Sequence, residues 1–212
     1  MKTAVISHAF RHEGFEAGAR TCVRRELSDY VDINRLSRML NDFCQVTGLM
    51  VDVIDRRSGD ILVAEGIKSI CVHHHKECPM SDLTCKEVSG LSNEGGLAGV
   101  MISRCDIDLS TAVSPIFLDG EYLGDIFLGP VLLAPMENEK IAKLAQTFGF
   151  DKKQYQRMYG EVNVIRVDEL AEALACFREM ILAIVTGGGD EKSYASAYHI
   201  LFKAARYFIK ET

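Results

Sequence analysis

The sequence predicts an α+β domain: an antiparallel sheet with helices packed around it and a helical extension at the C-terminus. Three observations carry this. Apolar runs near residues 49–65 and 110–133 are each broken by turn residues, as in hairpins. Helical periodicity fills the segments at 32–47 and beyond 137. The helices are grouped around the strands instead of alternating with them one by one, which argues against βαβ units.

Residues 1–30 are polar and mixed, with a basic RTCVRREL, and read as an arm. In DINRLSRMLNDFCQVT, residues 32–47, Ile33, Leu36, Leu40, Phe43 and Val46 recur at three- and four-residue steps, so the segment reads as an amphipathic helix. Asp32 is its expected N-cap and Gly48 its expected stop. LMVDVID then reads as a strand, RRSGD as a turn and ILVAE as the return strand. SDLTCKEVSGL reads as a helix capped by Ser81 or Asp82, and LAGVMISRC as a strand ending at Cys105. STAVSPIFLDGEYLGDIFLGPVLL forms two long strands joined at Asp119-Gly120, a strong hairpin turn. Gly124 and Gly129 in the second of these mark a bend or a place where another group comes close.

ENEKIAKLAQTFG is a helix ended by Gly149, and DKKQYQRMYGEV a second, short one. VDELAEALACFREMILAIVT is a long amphipathic helix capped by Asp168. GGGDEKS breaks the chain and reads as a hinge. YASAYHILFKAARYFIKET is a final helix with apolar positions at Ala197, Ile200, Leu201, Ala204, Tyr207 and Phe208. It reaches Thr212 without a loop or cap, which reads as the first piece of something longer. The apolar faces of the 167–185 helix and of the final helix predict a homodimer.

The 212 residues, 48% of them hydrophobic, suffice for one well-packed domain with extra pieces. A net charge of -6 disfavours a broad nucleic-acid-binding face. No apolar run reaches the roughly 18 residues of a membrane span, and the N-terminus lacks secretory features, so the expected location is the cytoplasm. The seven cysteines are odd in number, and in a reducing compartment a disulfide framework is not expected. Cys44 and Cys176 have apolar helical neighbours and read as buried side chains.

ICVHHHKECPMSDLTCKEVSG, residues 70–90, holds Cys71, Cys78 and Cys85 at seven-residue steps beside three consecutive histidines, and Cys105 follows. Four thiolates could hold zinc or an iron–sulfur cluster. The spacing suits neither, because zinc knuckles use C-x₂₋₄-C turns to aim two thiolates at one ion. The other reading is a pocket or core wall of polarizable side chains with exposed histidines beside it. In CDIDLS, strand alternation would put Asp106, Asp108 and Ser110 on one face, offering carboxylates to a ligand that donates hydrogen bonds or carries positive charge; a solvated strand edge is the other reading. There is no G-x-S-x-G, H-E-x-x-H, P-loop or dinucleotide fingerprint, so no residue is nominated as catalytic and no enzyme is expected.

The order of helix, VDVID-turn-ILVAE, Cys71, Cys85, a strand ending in Cys105, Pro115 ten residues on, and DGEYLGDIFLGPVLL resembles the PocR-type ligand-binding sensory domain over roughly residues 31–185. That resemblance implies a PAS-like sheet, a small organic ligand of which propanediol is the known theme, and pocket roles for Cys71, Cys85 and Cys105. ILFKAARYFIKET is similar to the opening helix of an AraC-type DNA-binding region. The implied organisation is an arm over 1–30, a sensing domain over 31–185, a glycine-rich linker over 186–192, and a helix over 193–212 that leads to a DNA-binding or signalling region.

The chain also departs from the family motif. Where that motif reads Cys-His-Ala-Gly-Leu-x-Asp-Phe, the chain has Cys105-Asp106-Ile107-Asp108-Leu109-Ser110-Thr111-Ala112. Losing the aromatic frees space, and two new carboxylates favour donors or a positive charge, so a ligand other than the diol is expected. Ligand contacts are therefore expected from Asp106, Asp108, Ser110 and Thr111 with the three pocket cysteines. Cys78 is an extra thiol; with Cys71, Cys85 and Cys105 it supplies the four ligands that a metal ion or iron–sulfur cluster would need, the alternative reading as a redox or metal sensor.

Overall fold

The computed structural model describes residues 26–56, 61–66, 69–77, 100–206 and 208. Within these residues five strands form one antiparallel sheet: β1 (Val51–Asp55), β2 (Ile61–Glu65), β3 (Met101–Arg104), β4 (Ser110–Leu118) and β5 (Glu121–Val131). Their spatial order is β2-β1-β5-β4-β3. Among the described residues six α-helices pack around it: α1 (Ile33–Thr47), α2 (Ser69–Glu77), α3 (Asn138–Phe148), α4 (Lys152–Gly160), α5 (Val167–Thr186) and α6 (Glu191–Ala205). The expected α+β class and C-terminal helices are present.

Local chemistry sets the helix ends. Asp32 caps α1 by accepting the Arg35 N–H at 3.0 Å. Gly48 and Gly149 end α1 and α3 in the left-handed conformation. Asp168 is not the cap of α5. Arg166 holds that position, and Asp168, in the first turn, accepts from the Arg166 guanidinium at 3.0 Å. The acid remains favourable near the helix N-terminus.

One face of the sheet packs against helices. Val51, Val53, Ala112, Ile116, Ile126 and Leu128 share a core with α1, α5 and α6. In α1 the buried stripe is Leu36, Met39, Leu40, Phe43, Cys44 and Thr47, whereas Val46 is 61% exposed. The expected stripe was rotated by part of a turn, because α6 covers one flank of α1 and leaves Val46 at the edge. Cys44 is buried as expected, and Cys176 only partly so.

Gly187 to Asp190 form a tight turn between α5 and α6. Gly189 N–H donates to Ile184 at 3.0 Å, and Asp190 caps α6 through Ser193 N–H at 2.8 Å. The turn carries α6 back onto α5 and α1, where Tyr194, Ala197, Leu201 and Ala204 are buried in the main core. The buried Tyr194 hydroxyl accepts the Asp32 N–H at 2.9 Å, and Arg35 lies 4.0 Å from the Tyr194 ring centre while pairing with Glu191 at 2.6 Å. At the start of the described chain, Leu27 is buried and its N–H donates to the buried Asp55 carboxylate at 3.1 Å.

A second, smaller core lies beyond the β3–β4 end of the sheet. It joins Ile70 of α2, Ile107 and Leu109, Ile141 of α3, and Tyr155 and Tyr159 of α4. Among the described residues no helix is long and apolar enough to cross a membrane.

The central strand tolerates no side chain at Gly124. A Cβ there would sit 2.2 Å from the Ile54 carbonyl oxygen, which is backbone and cannot swing away. Gly124→Ala is expected to cost about 2–3 kcal/mol and lower Tm by roughly 4–10 °C. Gly160→Ala, where a Cβ meets nothing within 4 Å, is the control and should leave Tm unchanged or slightly raised. Equal melting curves for the two variants would contradict this packing.

Candidate functional site

Directly opposed residues in antiparallel strands share a face, so the register defines what lies on the side of the sheet away from α1, α5 and α6. Asp52 opposes Phe127, Phe127 opposes Val113, and Val113 opposes Met101, in one row across four strands. Ile54, Asp125 and Pro115 make the adjacent row. Thr111 and Ser103 pair on one side of these rows, and Phe117 and Tyr122 on the other. Val113, Asp125 and Phe127 are buried, yet Val113 and Phe127 belong to neither hydrophobic core. Asp52, Ser103 and Thr111 are half-buried.

This second face is chemically mixed. Burial pushes the Asp52 carboxyl up to about 6, so near neutrality it changes between accepting and donating hydrogen bonds. Asp125 accepts from the Tyr122 hydroxyl. The Arg56 guanidinium lies 4.9 Å from the Tyr122 ring centre and donates to the Tyr122 carbonyl at 3.4 Å. Gly129 sits beside Thr111: a Cβ there would come within 3.2 Å of Thr111 Oγ1 and 2.8 Å of the Ser110 carbonyl. Val113, Phe127 and Met101, flanked by Asp52, Thr111 and Asp125, give this face an apolar centre with polar groups beside it, the chemistry of a small-molecule site.

The expected site residues separate in the fold. Thr111 lies on this face. Ser110 points to the opposite, helical side with Ala112; it is buried, and its hydroxyl has no hydrogen-bond partner among the described residues. Asp106 and Asp108 do not share a strand face with it, because β3 ends at Arg104 and Cys105 to Leu109 form the turn into β4. The Asp108 N–H donates to the Cys105 carbonyl and the Cys105 N–H to Leu109, both at 2.9 Å. Asp108 adopts φ 65°, a left-handed conformation that aspartate tolerates and strand alternation does not foresee. Its carboxylate pairs with Lys140 and, at 3.3 Å, with Arg104. That leaves Asp108 as an anchor between the β3–β4 turn and α3.

Cys71 and Cys105 both pack against the second core, where the two thiols act on one phenol, that of Tyr159. The Tyr159 hydroxyl donates to the buried Ile107 carbonyl. Burial raises its pKa, with smaller contributions from Tyr155, Cys105 and Cys71. Burial also pushes the Cys105 thiol up, which opposes the thiolate that metal binding and redox attack require. Cys78 and Cys85 lie outside the described residues. Among the described residues no group of three or more His, Cys, Asp or Glu is placed to hold a metal ion. The histidines are not all exposed: His74 is buried, edge-on to Phe148 at 4.8 Å, and His73 lies 4.8 Å from the Phe150 ring centre. Asp52 and Asp125 escaped the sequence reading. Their signal was an aspartate recurring among apolar residues in VDVID and LGDIFLG, on the phase opposite the core residues.

Residues 29–188, about three quarters of the chain, match the family described as the sensory domain found in PocR. No curated protein matches the chain. No solved structure matches it either.

The Asp52 carboxyl has a pH signature. Its folded pKa lies above the unfolded value, so the fold binds more protons than the unfolded chain between about pH 4 and 6. Its contribution is favourable below pH 4 and is lost as pH rises through 6. Asp52→Asn should therefore raise Tm at pH 8, by roughly 3–8 °C for a gain of about 1–3 kcal/mol, and have little effect at pH 4. A Tm difference that is the same at both pH values would contradict a desolvated carboxyl at this position.

Proposed function

Because the chain belongs to the family of sensory domains found in PocR, we propose that it senses a small organic molecule bound on the second face of its sheet. The observation that supports this is the composition of that face: Asp52, Thr111 and Asp125 around Val113 and Phe127, in register on adjacent strands and outside both cores. The two aspartates favour a ligand rich in hydroxyl or amine donors. In this reading Asp125 and Thr111 orient the ligand, Phe127 and Val113 pack its carbon skeleton, and Asp52 senses its charge. These groups bind; none is assigned turnover.

The signal leaves through β5. Asp125 and Phe127 face the ligand, while Ile126 and Leu128, one residue away, sit in the core with α5 and α6. A ligand that binds one strand position better than another shifts the population of helix arrangements by its differential affinity and no more. The output we propose is transcription regulation, with DNA contacted through a region attached after α6.

Thermal shift against a panel of small diols, polyols, amines and carboxylic acids tests the reading. The expected result is a rise of roughly 5–10 °C with one donor-rich class at about a hundredfold excess over Kd. Asp125→Asn and Thr111→Val should each remove most of that rise while keeping the unliganded melting curve cooperative. No shift with any class, together with native mass spectra showing only the bare chain, would overturn the proposal.

A further inference from the structure

The outer surface carries an apolar groove that the sensing reading does not use. It runs between α1 and α6, with a floor of Met39, Phe43, Leu201 and Ala205. At its rim Phe202 is 72% exposed and Val46 61% exposed. Side chains of this size are seldom left so open on adjacent helices without a partner.

The two helices run parallel and in step. Arg35 pairs with Glu191 at their N-terminal ends, and seven residues further along each helix Asp42 interacts with Tyr198. Val46 and Phe202 lie four residues beyond those, at one level. Arg206 lies four residues beyond Phe202. A twofold axis perpendicular to the helices at the Phe202 level therefore exchanges the Asp42 level with the Arg206 level, each about 6 Å away. Two copies related by that axis would set Phe202 of each into the groove of the other and oppose Asp42 of each to Arg206 of the other.

We propose that this groove is the interface of an antiparallel homodimer, a four-helix contact built from α1 and α6 of two copies. A second copy fits better than an unrelated partner for two reasons. The protruding Phe202 and the hollow lie on one surface, as a self-complementary contact requires. The acid and the base stand on opposite sides of the axis, so antiparallel pairing joins opposite charges and parallel pairing would join like ones. The faces first expected to dimerise, the apolar stripes of α5 and α6, are instead largely spent inside the protomer's own core.

Sedimentation velocity on the full chain from about 1 to 200 μM should show a concentration-dependent dimer. Phe202→Glu should weaken it about thirtyfold or more and leave Tm unchanged at low protein concentration, since that side chain is exposed in the protomer. Asp42→Arg and Arg206→Asp should each weaken the dimer, and the double variant should recover most of the loss. A chain that stays monomeric throughout, a dimer indifferent to Phe202→Glu, or a double variant no better than the single ones would overturn the proposal. None of these results bears on ligand binding to the sheet.

Discussion

The structure depends on the alternation of β5. This central strand is hydrogen-bonded to β1 on one side and β4 on the other, and its side chains must point to opposite faces in turn. Ile126 and Leu128 commit one face to the helical core. Asp125 and Phe127 are thereby committed to the other. A slip of one residue would bury a carboxylate against α5 and turn two large apolar groups outward, so the register is strongly specified. The two glycines of the strand serve the same end. Gly124 lets the β1 backbone approach, and Gly129, at φ 145°, lets β4 fold closely over it beside Thr111.

The helical face is closed by ties between parts far apart in sequence. Tyr194 holds the start of α1, Asp55 holds Leu27, and Asn163 donates to the Thr47 carbonyl at the end of α1 at 2.7 Å. These three ties satisfy buried or partly buried polar groups within the fold, where an unmade bond would cost about 1–3 kcal/mol. The consequence is that α1, α5, α6 and the sheet behave as one packed body. Ile126 and Leu128 of β5 are close-packed in the same core as these helices. The proposed sensing on one face and output on the other would draw on this shared packing as much as on the residues that touch a ligand.

Much of this was legible in the amino-acid order, and the reasons are local. Asp32, Gly48 and Gly149 act at helix ends within four residues of their partners, and Asp119-Gly120 makes its hairpin turn with both residues at positive φ. The failures share a different cause. Val46 fits the period of α1, but whether it is covered depends on α6, some 150 residues later in the chain. Asp106 and Asp108 fit a strand period, but Asp108 adopts a conformation that ends the strand. Asp52 and Asp125 sat in segments correctly read as strands; period alone says that two faces exist, not that both are used.

The displacement of the carboxylates bears on the ligand more than any single contact does. From the motif and strand alternation, the negative charge was expected on a strand face just after Cys105. In the fold that region is a turn: Asp108 is held by Lys140 and Arg104 and docks the β3–β4 turn on α3, while Asp106 is exposed. The carboxylates proposed to meet a ligand, Asp52 and Asp125, lie on strands, on a rigid scaffold. A loop can follow ligands of different shape, whereas strand positions on neighbouring chains have a fixed spacing. Asp52 and Asp125 are diagonal neighbours on β1 and β5, a separation of roughly 7 Å or a little less. If the proposed ligand binds on this face, its selectivity would be set by the distance between its donor groups, while Cys71 and Cys105 pack away from it in the second core with Tyr159.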